Sequence, residues 1–502
     1  MSPIHPVRHA WLALALGLAT AAMLVLAGYM AYYINFFDLG SGLGMTMAAV
    51  IVVALFGIAA FAAIYCIIVI RAKSLRGSAI VVGFLIAGIF VAMPCGAIGY
   101  LGNTFLGFEP HLDVLSSLYS NQAEWETRAD AIRQGILSGA QLVPLPDRSP
   151  LNPFRHNLRI YTNYSVENVY FESVPGFFVS GNLYRPTWGN ANDSKPVILV
   201  PHGHFPLGRY EPDNQEVAAT FARMGAIVMI YDMVGWDEST QVNNTSDFTP
   251  MFQIWDSMRV IDYLLTLPGA DPARVAVTGA SGGGTQTFLL AAVDDRVAVA
   301  APVVMVSASY AGGPERDEVG MPIRETQGHW TNNAEIAALM APKPLLLVSD
   351  GQDWTQETPQ VEYPFIQRIY GFYGKVDNVQ NAHFANEGHD FGPSKRNAVY
   401  TFFAAHLGLN ISKVEWPNGT INETPNVIEN PTAMHAFNNA FPRPANALQG
   451  EAAVLNAFTI AQHGRTHDDP YTESFIPVIV IFMVLEIAVV CFAIFQRRKR
   501  NI

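Results

Sequence analysis

Serine, histidine and aspartate recur in the polar part of this chain in the order and local settings that acyl transfer needs. In "VAVTGASGGGTQTFLL" an apolar run ends in Gly279-Ala280-Ser281-Gly282-Gly283 and passes into a helical pattern. A G-x-S-x-G match is informative in that strand, sharp turn, helix setting, where the turn pushes the serine hydroxyl out at the carboxyl edge of a sheet. Small residues flank Ser281 because such a turn is crowded, and the helix that follows aims its first amides at developing negative charge. A serine hydroxyl is a poor nucleophile until a base takes its proton, and the base needs a carboxylate to fix its tautomer. Downstream, "KPLLLVSDGQDWTQETP" places Asp350 and Asp353 after a buried strand, and "NEGHDFGP" presents His389 in a turn before a helix. The order serine, acid, histidine fits this architecture. Asp350 lies so close to the strand end that capping or bracing the loop is an alternative use for it. Asp353 is therefore the favoured acid and Asp350 the alternative.

Acyl transfer also needs two donors for the oxyanion. The backbone N–H of Gly282 is one candidate. The loop "PHGHFPLGR" supplies the other at His204, because His202-Gly203-His204 is similar to the His-Gly element of esterase oxyanion loops. A His-x-His pair also shares one face of a strand and could ligate a metal. No carboxylate or third histidine is evident nearby in the sequence, so neither a metal nor a cofactor is expected. "YDMVGWDES" brings Asp232, Gly235, Trp236 and Asp237 to the same edge, where shaping a pocket and bracing a loop are equally good uses. "SYAGGPERDEVGMPIRETQGHW" reads as a lid or substrate-facing insertion carrying His329 and Trp330. His202, Trp236 and Trp330 are the candidate pocket residues.

The elements that must hold these residues alternate. Short β-rich runs are expected at Val166–Val174, Phe177–Tyr184, Val197–Val200, Ile227–Tyr231, Val275–Val277, Val297–Val303 and Pro344–Val348. Helices are expected at Glu124–Leu137, Asn214–Met224, Met251–Leu267, Gly284–Val293, Asn333–Leu339, Ser394–His406 and Glu451–Gln462. Several strands are continuous apolar runs, as strands covered on both faces should be. The fold class is α/β, a mostly parallel sheet covered by helices.

Half of the 502 residues are hydrophobic and only 14% charged, well below the usual quarter. The excess apolar residues are clumped. Four runs, Trp11–Tyr33, Thr46–Ile70, Ala79–Leu101 and Phe475–Gln496, reach the roughly 20 residues that cross a bilayer. Arg8, the loop with Arg71, Lys73 and Arg76, and the tail Arg497-Arg498-Lys499-Arg500 all fall on one side of them. Both termini are then cytoplasmic and the polar stretch lies outside a cytoplasmic membrane. Seven Asn-x-Ser/Thr sequons, all in that stretch, agree with this arrangement. The expected organisation is a membrane domain (1–104), a helix and Pro-rich arm (105–163), a hydrolase domain (164–410), a C-terminal extension (411–473), a fourth transmembrane helix (474–496) and a basic tail (497–502). Cys66, Cys95 and Cys491 all lie in apolar runs, so no disulfide braces the polar part. That part holds 22 of the 30 basic and 40 of the 42 acidic residues, a net charge of −18 within the chain's −12, which argues against nucleic acid as a partner. Glu486, inside the fourth run, is costly in lipid and points to hydrogen bonding in the bundle or pairing with another membrane subunit.

Several long segments together resemble the acetyl xylan esterase-like α/β-hydrolases of bacteria: "FESVPGFFVSGNLYRP", "VPHGHFPLGR", "VTGASGGGTQTFLLAAVDDRVAVAAPVVMVS", "NNAEIAALMAPKPLLLVSDGQDWT" and "EGHDFG". The resemblance spans roughly Glu124 to Pro444. It implies triad positions at Ser281, Asp353 and His389, since the aspartate of the family's "DWT" element falls on Asp353. It also implies carbohydrate acyl esters, acetyl above all, as substrates. The chain departs from the family in two places. "SYAGGPERDEV" replaces a Cys-containing segment after the sixth strand, and four apolar spans are added. The expected function is a membrane-anchored extracytoplasmic serine esterase with a carbohydrate or small-molecule ester as substrate. The alternative is a scaffolding subunit of a membrane complex that keeps the hydrolase fold for docking. A peptidase of the prolyl-oligopeptidase type would bring a large β-propeller, for which the chain has no room.

Overall fold

The computed structural model describes residues 112–462, apart from 245, 309–322, 324 and 327–328. The four expected membrane spans, Glu486 and most of the expected lid lie outside the described residues. Among those described, no helix is long and apolar enough to cross a membrane.

The chain begins with helices α1 (Leu112–Ser116) and α2 (Gln122–Gly139). Strands β1 (Phe154–Tyr161), β2 (Tyr164–Val174), β3 (Phe177–Pro186) and β4 (Lys195–Pro201) come next. After helix α3 (Pro212–Met224) the chain alternates: β5 (Ile227–Tyr231), α4 (Thr249–Leu265), β6 (Ala270–Ala280), α5 (Gly282–Val293) and β7 (Val297–Val303). The ribbon β8 (Glu325–Thr326) and β9 (His329–Trp330) leads to α6 (Asn333–Ala338). The remaining elements are β10 (Leu345–Asp350), α7 (Glu362–Phe372), β11 (Val379–Phe384), α8 (Pro393–Leu407), α9 (Pro431–Met434) and α10 (Glu451–Ala461).

Nine strands form one sheet in the order β1-β2-β3-β5-β4-β6-β7-β10-β11. The first three and the β3–β5 pair are antiparallel, and every later pair is parallel. Side chains alternate across a strand, and this alternation divides the core. Val197, Leu199, Ile227 and Met229 point into one layer with Trp125, Trp255, Phe288 and Ile366. Ile198, Val200, Val228 and Ile230 point into the other with Phe221, Tyr400 and Phe403. Helices thus cover both faces, which is why β5, β7 and β4 from Pro196 onward are continuous apolar runs.

In the main sheet the sequence expectation omits β1 and β11, and outside it the ribbon β8–β9 and helices α1, α7 and α9. Strands β1 and β11 are the edges of the main sheet, and most of their residues are half-buried or exposed, so they lack the apolar run that marks a central strand. The expected boundary at 163/164 falls in the turn between β1 and β2, which pair as a hairpin, so the end of the arm belongs to the hydrolase sheet. The segment after Leu409 is likewise laced onto β1–β3. Asn182 Nδ2 donates to the Met434 carbonyl at 3.0 Å, Asn168 Nδ2 to the His435 carbonyl at 2.7 Å, and Arg159 pairs with Glu429 at 2.7 Å.

Candidate active site

Ser281 stands between β6 and α5 with φ 58° and ψ −125°, a left-handed backbone that is strained for a residue with a Cβ and concentrates at functional sites. The turn is pinned: Ser281 N–H donates to the Val303 carbonyl at 3.0 Å, and the Ser281 carbonyl accepts from Gly284 and Thr285 at 2.7 and 3.0 Å. Its neighbours are glycines for lack of room. A Cβ on Gly279 or on Gly283 would lie 2.2 Å from the Pro201 carbonyl at the end of β4. The N–H groups of Gly282 and Gly283 belong to the first helical turn, where no intrahelical acceptor exists.

Asp353 and His389 come together. The His389 Nδ1–H donates to Asp353 Oδ2 at 2.6 Å, and Asp353 Oδ1 accepts from the Thr355 N–H and hydroxyl, each at 2.6 Å. Burial alone would raise the Asp353 carboxyl. The hydrogen bonds from His389 and Thr355 outweigh burial and hold it below the ordinary range. Its contribution to stability is therefore complete above the usual carboxylate range and is lost as pH falls through the lower folded value.

The His389 ring stacks on Phe205 with centroids 6.0 Å apart and contacts Trp354 at 4.4 Å. Gly203 links this pair to the serine, because a Cβ there would lie 2.9 Å from both the Phe205 ring and Ser281 Cβ. Among the described residues Ser281 and His389 do not hydrogen-bond directly; Gly203 lies beside both Ser281 and the Phe205 ring, and that ring stacks on His389. Catalytic hydrogen bonds in empty sites are often long and tighten around substrate.

Asp350 faces elsewhere. Its Oδ1 accepts from the Gln352 N–H at 3.0 Å and its Oδ2 lies 3.5 Å from Lys395 Nζ. Burial and the nearby Asp353 charge push its carboxyl up, against Lys395. The alternative acid is thus a brace. Lys395, fully buried, also donates to the Gly388 carbonyl at 2.6 Å and to Asp390 at 2.7 Å, clamping the loop on both sides of His389. Lys395→Met leaves the buried Asp350 carboxylate without its cation. It is expected to cost about 3–5 kcal/mol, read in denaturant unfolding, and to lower kcat.

His202 is corrected from pocket residue to internal brace. It is 1% exposed, its Nδ1 meets the Gly203 carbonyl at 2.8 Å, and its Nε2 accepts from the Met233 N–H at 3.0 Å. Both ring nitrogens are occupied by backbone, so none remains for substrate. Trp236 packs against His204 at 5.1 Å and against His202 at 5.9 Å. The carbonyl of Trp330, on β9, accepts from Arg128 on α2, which pairs with Glu335 at 2.7 Å.

Carboxylates do reach His202, contrary to the sequence expectation. Ligand atoms of His202, Asp232 and Asp237 lie within 4.8 Å of one another. This set does not suit a cation. Arg209, fully buried, already sits 3.1 Å from Asp232 and pairs with Glu238, and its N–H donates to Asp237 at 2.8 Å. Of the residues sequence reasoning passed over, Thr355 lies two positions after Asp353 and Arg209 ends "PHGHFPLGR". Phe205 and Lys395 gave no signal without the fold.

The sequence profile of X-Pro dipeptidyl-peptidase (S15 family) matches residues 176–359. The solved methylesterase BT1017 is 38% identical over 70% of this chain and 79% of its own, with a TM-score of 0.63. The chain belongs to that methylesterase's family. The esterases among its relatives are serine-type carboxylic ester hydrolases, and the mostly parallel sheet covered by helices is α/β-hydrolase-like. The 4-O-methyl-glucuronoyl methylesterase 1 of Wolfiporia cocos (strain MD-104) is 22% identical over 349 residues, which is 60% of this chain and 80% of that protein. Thiohydrolase apmlB of Arthrinium phaeospermum is 28% identical over 165 residues, 32% of this chain, so the chain spans 51% of that relative's length.

Proposed function

We propose that the protein is a serine esterase that hydrolyses carbohydrate esters through Ser281, His389 and Asp353. The observation that carries this reading is the Asp353–His389 hydrogen bond of 2.6 Å. It commits Nδ1 to the carboxylate and leaves Nε2 as the acceptor for a serine proton. In this mechanism His389 Nε2 takes the Ser281 proton as Oγ attacks the ester carbonyl. The N–H groups of Gly282 and His204 hold the oxyanion. The leaving alcohol departs with the proton from His389, and water, activated by the same imidazole, then frees the acid. Asp353 stabilises the imidazolium in both halves.

Similarity to a methylesterase and to a 4-O-methyl-glucuronoyl methylesterase supports methyl esters of sugar acids, with methanol as the leaving group, ahead of the expected acetyl esters. A panel of methyl uronates, acetylated sugars and X-Pro anilides separates these readings, the last because of the X-Pro dipeptidyl-peptidase profile. Methyl uronates are expected to give the highest kcat/KM. Cleavage of the anilide alone would point to a peptidase, and no turnover of any substrate by folded protein would favour the scaffolding role.

Anchoring by the four apolar runs, with the hydrolase domain outside the membrane, belongs to the same proposal. It predicts that the protein resists carbonate extraction from membranes and that the domain is open to external protease in intact cells. Release by carbonate, or full protection, contradicts it.

A further inference from the structure

We infer that His202 is a positioning residue that orients the Gly203–His204 peptide so that the His204 N–H serves as the second oxyanion donor. The inference rests on the esterase reading above and adds a device to it.

Three observations converge. The Met233 backbone nitrogen can only donate, so His202 Nε2, 3.0 Å away, must be the acceptor. That fixes the proton on Nδ1, which donates to the Gly203 carbonyl at 2.8 Å. The imidazole therefore ties the end of β5 to the loop after β4 in one tautomer. Second, the peptide after Gly203 is trans, the cis bonds of the described residues lying only at Pro144 and Pro342. In a trans peptide the carbonyl and the next N–H point in opposite directions. With the Gly203 carbonyl drawn toward His202, the His204 N–H faces away from β5. Third, Gly203 is the residue of this loop that abuts Ser281, since a Cβ on it would stand 2.9 Å from Ser281 Cβ.

The ring also has reason to stay neutral. Burial lowers its pKa to about 4, against Asp237, which lies 4.0 Å away and pulls upward, and with His204 and Arg209 adding to the depression. A charged ring would carry a proton on Nε2 and repel the Met233 N–H.

The test compares His202→Ala and His202→Asn in the full chain on a turned-over ester. Loss of one oxyanion donor lowers kcat by about 10²–10³-fold, and KM is expected to stay within about threefold. His202→Asn, whose side-chain amide can donate to the Gly203 carbonyl, is expected to recover part of kcat. Equal kcat in wild type and His202→Ala, or a loss confined to KM, overturns the inference, as does an Asn variant no better than Ala at matched thermal stability. If neither variant folds, 15N-histidine NMR of the wild-type protein decides. A neutral Nδ1-protonated ring at pH 7 supports the inference, and an Nε2-protonated or charged ring refutes it. Failure of the esterase reading is seen separately, as activity that survives Ser281→Ala.

Discussion

Ser281→Ala is expected to lower kcat/KM on a cleaved ester by at least about 10⁴-fold while leaving thermal stability close to wild type. The loss is large because the hydroxyl forms the covalent bond of the mechanism, and nothing else at the elbow can replace it. Residual rate over solution would come from the Gly282 and His204 donors and from binding alone. Stability should hold because the elbow is fixed by backbone, through the Ser281 N–H to Val303 and the Ser281 carbonyl to Gly284 and Thr285. The hydroxyl takes no part in those bonds. Alanine must still adopt the φ of 58°, so that strain is the same in both proteins. Parallel kinetics and melting curves check both halves of the expectation.

Asp353→Asn is expected to cost about 10³–10⁴ in kcat, for a reason this site makes specific. Thr355 donates twice to Asp353 Oδ1, from its N–H and its hydroxyl. An asparagine must therefore put its carbonyl oxygen at that position, which places its NH₂ against His389 Nδ1. Nδ1 then has to accept, the ring proton moves to Nε2, and the base can no longer take the serine proton. Removing the constraint should help. In the double variant Asp353→Asn/Thr355→Val the hydroxyl donor is gone, the amide is freer to turn, and part of the lost kcat is expected to return. If the single variant retains more than a tenth of wild-type kcat, the Asp353–His389 pair is not orienting a base.

Much of this site was legible in the sequence because its geometry is local. The elbow is written in Gly279, Ser281 and Gly283, which must be small or strained where β6 meets α5. Strands β5 and β7 coincide with their apolar runs, since burial on both faces leaves no room for polar residues there. What was not legible is long-range. Asp353 could be favoured over Asp350 from the sequence, but the partner that holds Asp350, Lys395, lies more than forty residues downstream. His202 lies in the loop after β4 and was expected at the pocket, yet the Met233 N–H just past β5 and the adjacent Gly203 carbonyl occupy its ring. Edge strands β1 and β11 escaped notice because half their residues meet solvent and no periodic apolar face remains.

The proposed function requires Ser281 to be an activated nucleophile. Peptide mass spectrometry after treatment of the native protein with a fluorophosphonate addresses it directly, because the reagent phosphonylates a serine only when a base and an oxyanion site act on it. We expect one adduct, on the peptide carrying Ser281, absent in Ser281→Ala and formed far more slowly in His389→Ala. An unlabelled Ser281 in folded protein, or an adduct on another serine that persists in Ser281→Ala, would contradict the account.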